Sequence, residues 1–80
     1  MKARVTVTLK PGVLDPQGQA IVGSLGSLGF TGVDAVRQGK VFDIVLDETN
    51  ADAARSTLDA MCQKLLANTV IENYAIELIQ

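Results

Sequence analysis

The first ten residues, MKARVTVTLK, alternate without a fault. Ala3, Val5, Val7 and Leu9 fall on one side of an extended chain, and Lys2, Arg4, Thr6, Thr8 and Lys10 fall on the other. A period of two predicts a strand with one buried face, so the remaining chain must supply a layer to cover it. That layer comes from an 80-residue chain, short enough that only about 60–65% of its unfolded surface is buried on folding. The usual staples of small folds are missing. The single cysteine, Cys62, has no internal partner, and without histidine no ordinary zinc site forms. Association with other subunits is the stabilisation left open.

The pattern after the first strand alternates helix and strand. Asp15 is the expected N-cap of a helix over Pro16–Leu28, with Pro16 at the first helical position, where a missing N–H costs nothing. Ile21, Leu25 and Leu28 form its inward stripe. Gly29 ends the helix in the left-handed conformation, with Phe30 folding back on the last turn. A second strand is expected within Thr31–Gln38, a turn at Gly39-Lys40, and a third strand over Lys40–Asp47 with Phe42, Ile44 and Leu46 facing inward. Asn50 caps a second helix over Ala51–Ala67, whose stripe is Ala54, Leu58, Met61 and Leu65, and Asn68 closes it. A fourth strand over Val70–Ile79 turns Tyr74, Ile76 and Leu78 to one side.

The order β-α-β-β-α-β predicts an α+β fold, the ferredoxin-like split βαββαβ sandwich. It has a four-stranded antiparallel sheet with two helices on one face and strands one and three central. The chain reads as a single domain, residues 1–80. The other face of that sheet carries Arg4 and Thr6 beside Val41, Asp43, Val45 and Ile79. Val41, Val45 and Ile79 are apolar for a solvated surface, so this set, with Arg4 and Thr6, forms the candidate contact between copies.

Catalytic constellations are scarce. "KPGVLDPQG", Lys10 to Gly18, has neither GxxxxGK[S/T] nor GxGxxG spacing, and Pro11 and Pro16 remove two N–H donors from any phosphate cradle. It reads as a rigid strand-to-helix corner. Cys62 has no histidine to activate it and sits on the shoulder of an apolar stripe. Asp47 and Glu48 read as solvated charge. A net charge of −2 and only Phe30, Phe42 and Tyr74 as aromatics argue against a nucleic-acid surface. No stretch approaches the ~20 apolar residues of a membrane span, and no signal peptide opens the chain, so the expected location is cytoplasmic. Arg37 and Lys40 make the one compact basic spot, read either as rim charge or as a handle for an acidic partner.

Four segments in register then carry a resemblance. "LKPGVLDPQG", "LGF", "VRQGK" and "CQKLLANTVIENY" together resemble the PurS family, the small subunit of phosphoribosylformylglycinamidine (FGAM) synthase. The matching positions are Lys10, Pro11, Gly12, Asp15, Pro16 and Gly18, then Arg37, Gly39 and Lys40, then Cys62, Leu65, Leu66, Ala67 and Asn68. Thr69 stands where the family often has proline.

The resemblance implies a non-catalytic subunit, itself a homodimer or dimer of dimers. It would dock the glutaminase PurQ onto the synthetase PurL and support ammonia transfer. The complex would convert formylglycinamide ribonucleotide to FGAM with ATP and glutamine. This chain would bind no cofactor, ATP and magnesium being used by PurL. Lys10, Pro11, Gly12, Asp15, Pro16, Arg37, Lys40 and Asn68 are then the partner-interface candidates. An ACT-like domain binding small ligands shares the element order and is the alternative; an acylphosphatase-like enzyme would need a glycine-rich phosphate loop that this sequence lacks.

Overall fold

The strand that opens the sequence is the centre of the sheet. In the computed structural model, which describes residues 1–79, β1 (Lys2–Leu9) pairs antiparallel with β2 (Gly39–Val45) on one side and with β3 (Glu72–Ile79) on the other. Its alternation becomes burial: Ala3, Val5 and Val7 are 0–2% exposed. Val5 lies opposite Phe42 and Ile76, and Ala3 opposite Ile44 and Leu78, so the inward residues of all three strands form one apolar floor. The ladder extends one step beyond β1, where Met1 and Leu46 exchange backbone hydrogen bonds of 2.9 and 2.7 Å.

The helices are α1 (Pro16–Ser27) and α2 (Ala51–Met61). Asn50 caps α2 as expected, its Oδ1 accepting from the Ala53 N–H at 2.9 Å. Ala54, Leu58 and Cys62 of the α2 segment are fully buried, Leu58 and Cys62 in one core with the floor. Burying the Leu58 side chain contributes roughly 1.5–3 kcal/mol. The α1 terminus also forms as predicted. Gly29 has φ +95°, its N–H reaching the Gly26 carbonyl at 3.1 Å while Phe30 N–H reaches Leu25 at 3.0 Å. That is the Schellman arrangement.

Several expectations fail, each for a physical reason. Thr31–Gln38 is not a strand, so the sheet has three strands in the order β2-β1-β3, not four. β1 is central as predicted, but the strand expected beside it at the centre, β2, is left at the edge. Gly39-Lys40 is no hairpin turn: Gly39 begins β2 opposite Thr8. A Cβ there would stand 2.7 Å from the Val7 carbonyl, so this glycine serves a close approach of strands.

One helix, not two, covers the floor, because α1 is not packed on the sheet; Ile21 and Leu28 of its apolar stripe are 37% and 73% exposed. The second helix ends in a π-helical turn, Cys62–Leu66. Cys62 continues the Ala54–Leu58 row into the core, and the wider turn that begins there leaves Leu65 83% exposed rather than inward. Ala67 leaves the helix in an extended conformation, and Asn68 opens the next turn instead of capping the last one.

Cys62 sits at the centre of this packing, and burial with the nearby Asp59 pushes its thiol above the ordinary 9.0. Leu58→Ala is expected to destabilise the chain by about 2–5 kcal/mol in denaturant titrations at fixed protein concentration. In the native wild type, Cys62 should react with a thiol reagent only at the rate of unfolding. Rapid native labelling would contradict the packed position.

Candidate functional site

The corner from Lys10 to Gly18 is built in three steps. β1 hands its last backbone donor across, Lys10 N–H reaching the Ile71 carbonyl at 2.9 Å. The chain then reverses: Val13 N–H returns to the Lys10 carbonyl at 3.1 Å, with Gly12 at φ +87°. Proline second and a left-handed glycine third are the requirements of a type II turn. Pro11 supplies the fixed φ and Gly12 the positive one.

Asp15 makes the third step. It is 6% exposed and its two oxygens hold different segments. Oδ1 accepts from Gly18 N–H at 2.8 Å, capping α1, and Oδ2 accepts from Gln38 N–H at 2.9 Å, pinning the returning chain. These N–H groups, that of Gln38 first and that of Gly18 second, hold the carboxyl below its ordinary 3.8 against the opposing effect of burial, and the Arg37 charge adds to them. Gly18 is required at the same junction: a Cβ on it would lie 2.1 Å from the Val36 carbonyl.

Arg37 acts as a clamp. Its Nη1 donates to the Val13 carbonyl at 2.8 Å and its Nη2 to the Lys10 carbonyl at 3.0 Å, so the guanidinium fork grips both ends of the type II turn. The sequence readings of Arg37 as rim charge or as a free handle leave out this contact. Lys40 is the more available cation, its Nζ 3.9 Å from Glu72 Oε2 with the lysine side chain 62% exposed. Glu72 also accepts from Asn68 N–H at 2.7 Å, and Asn68 Oδ1 accepts from Val70 N–H at 3.2 Å.

Every partner-interface candidate therefore gathers at one end of the sheet. Lys10, Pro11, Gly12, Asp15, Pro16 and Arg37 form the corner, Lys40 enters on β2, and Asn68 approaches through the turn before β3. A cleft of about 190 Å³ opens there between Asp15, Gln17, Gln38, Lys40 and Glu72. Gln38 and Glu72 were missed from sequence, because nothing local marks a backbone N–H or a carboxylate whose partner is distant in the chain.

The second candidate set lies elsewhere, on the open face. Arg4 Nε donates to Asp43 Oδ1 at 2.9 Å across the β1–β2 pair, Thr6 sits opposite Val41, and Lys2 sits opposite both Val45 and Ile79. Val41 and Val45 are 59% and 78% exposed. The two sets do not meet. Among the described residues, no group of three or more Cys, Asp and Glu side chains is arranged to hold a metal ion.

Residues 2–80 match the family described as PurS: Phosphoribosylformylglycinamidine (FGAM) synthase. The chain belongs to the PurS family. It is 52% identical over 75 residues to the phosphoribosylformylglycinamidine synthase subunit PurS of Mycobacterium leprae, covering 94% of this chain and 91% of the relative. Against the Synechocystis PurS subunit the identity is 49% over 75 residues, covering 94% and 75%. In three dimensions it is similar to PurS of Methanocaldococcus jannaschii, with a TM-score of 0.86, 43% identity and coverage of 95% and 92%. It is also similar to a chain of the structure of PurLQS from Thermotoga maritima, with a TM-score of 0.85, 28% identity and coverage of 95% and 93%. Each of these relatives is PurS or comes from a complex containing it, and the ACT-like alternative finds no support.

Two outcomes follow for this PurS-family corner. Gly18→Ala must move Val36 or α1, and is expected to cost about 1–3 kcal/mol or more in urea titrations. Asp15→Asn keeps one acceptor but turns an N–H₂ toward a second donor. The folded carboxyl is lowered, so its stabilising effect is complete above the unfolded value of about 3.9 and is lost as pH falls through the lower folded value. The thermal midpoints of wild type and Asp15→Asn should therefore differ by a constant amount at neutral pH and converge below about pH 4.

Proposed function

We propose that this chain acts as a single PurS-like domain and a non-catalytic assembly subunit of FGAM synthase. It docks the glutaminase PurQ onto the synthetase PurL and supports passage of ammonia between them. The observation that carries the reading is the family match over residues 2–80, together with the likeness to a chain of the PurLQS structure. The reaction of the complex is the ATP- and glutamine-dependent conversion of formylglycinamide ribonucleotide to FGAM. ATP and magnesium belong to PurL in this reading, and a cytoplasmic place suits a purine-biosynthetic subunit.

The corner supports a docking role by its stiffness. Its backbone is fixed by Pro11, Pro16, the two oxygens of Asp15 and the fork of Arg37, so little ordering remains when a partner binds. Lys10, Pro11, Gly12, Asp15, Pro16, Arg37, Lys40 and Asn68 form the partner-facing end. Arg4, Thr6, Val41, Val45 and Ile79 form a contact with further copies, in a dimer or dimer of dimers.

Adding this chain to purified PurL and PurQ is expected to restore glutamine-dependent FGAM formation while leaving ammonia-dependent turnover little changed. Turnover indifferent to the chain would overturn the reading. Replacing Pro11 and Pro16 together should weaken assembly measured by sedimentation; unchanged assembly would leave the corner a structural feature alone.

A further inference from the structure

The turn that ends the second helix carries two neighbouring leucines and packs one of them. A continued α-helix would set Leu65, seven residues after the buried Leu58, within about 20° of the Leu58 direction, and Leu66 about 80° from it. The π-helical turn Cys62–Leu66 makes the opposite choice. Leu66 packs against the core, while Leu65 is 83% exposed and lines an apolar groove with Ile44 and Met61.

Burying either leucine removes the same kind of side chain from water, so leucine burial is silent on the register. The backbone leans toward the α form, since π-helical turns are rare. What opposes it lies at the end of the turn. There the Ala67 N–H reaches the Cys62 carbonyl at 3.0 Å, five residues back, and the chain leaves in an extended conformation with Ala67 8% exposed.

Beyond Ala67, Asn68 and Glu72 hold each other reciprocally. The Asn68 N–H donates to Glu72 Oε1 and the Glu72 N–H to the Asn68 carbonyl, both at 2.7 Å. The Glu72 side chain is only 13% exposed, and as an ionised acceptor it makes the stronger bond of the two. In an α register the Ala67 N–H would go to the Gln63 carbonyl, and the residues after it would turn by about 100°. The Asn68 N–H would then leave Glu72. The neighbouring polar contacts discriminate less. Gln63 Nε2 donates to the Tyr74 hydroxyl at 3.2 Å, and that hydroxyl donates to Asp59. Asp59 and Gln63 are four residues apart, so they share a helix face in either register.

We propose that Cys62–Leu66 is a two-register turn and that Glu72 is the positioning residue that selects its π form. Releasing Glu72 turns Leu65 into the core and Leu66 aside, which changes the apolar lining of the groove beside Ile44. Glu72 Oε2 also faces Lys40 Nζ at 3.9 Å. The lining of the groove is thus set from the end of the sheet that carries the Lys10–Gly18 corner.

The isolated full chain tests this without PurL or PurQ, so the outcome is separate from that of the docking reading. Leu65→Ala and Leu66→Ala are each placed in the unaltered chain and in Glu72→Ala, Glu72→Asp and Glu72→Gln. Thermal midpoints are then compared at one protein concentration. In the unaltered chain Leu66→Ala lowers the midpoint by roughly 5–15 °C and Leu65→Ala by clearly less. Glu72→Ala removes the acceptor and reverses that order. Glu72→Asp, a methylene too short to reach the Asn68 N–H, reverses it as well and serves alone if Glu72→Ala does not fold. Glu72→Gln keeps an acceptor at the same reach and restores the original order. An order unchanged in Glu72→Ala or Glu72→Asp would overturn the proposal. Reversal in Glu72→Gln would overturn it too, since the charge opposite Lys40 would then set the register rather than the bond to Asn68.

Discussion

The carboxylate of Asp15 determines where everything beyond the sheet begins. With one oxygen on the Gly18 N–H and the other on the Gln38 N–H, it ties the start of α1 to the end of the returning segment. The start of α1 and the end of the returning segment therefore meet at one place, at the end of β1. An alanine could supply neither bond, and an asparagine only one acceptor. Being ionised, the group makes stronger hydrogen bonds than a neutral acceptor would, and Gly18 lets Val36 come close enough for both to form. Arg37 then locks the turn on the far side, so one buried acid and one arginine define the shape of the corner.

Much of the fold was legible because its causes are local. The alternation of β1 and the inward residues of β2 and β3 follow from side chains pointing to opposite faces. The caps at Asp15, Asn50 and Gly29 follow from unsatisfied N–H and C=O groups at helix ends. The π-helical turn was not legible, since the residues that provoke it, Cys62 through Leu66, keep an ordinary helical spacing until packing decides which of them goes in. The second strand was misread for a related reason. Thr31–Gln38 has the extended character of a strand, but nothing in it states which edge it must find.

The candidate site divides in the same way. Proline and glycine positions in the corner were readable as a turn, and Asp15 as a cap. Its second oxygen, the grip of Arg37 on two carbonyls, and the junction of Lys40, Glu72 and Asn68 depend on contacts between segments far apart in the chain. Sequence spacing carries no record of those meetings. Family resemblance named a set of residues without giving the reason they lie together, which is that they close one end of the sheet.

The misplaced stripe of α1 joins these observations. Ile21, Leu25 and Leu28 are spaced to cover a sheet, and the pattern is faithful to that purpose even though the chain's own sheet is out of reach. A pattern records which surface is to be buried and is silent on whether the burying surface belongs to the same chain. In a chain of 80 residues with a single cysteine, the helix points away from the sheet that its own stripe is spaced to cover. The helix is rooted at Asp15, and that root leaves the Lys10–Gly18 corner rigid at the end of the sheet. The placement of α1 and the shape of the corner then rest on the same junction. A substitution that loosens Asp15 or Gly18 disturbs the position of α1 and the shape of the corner together.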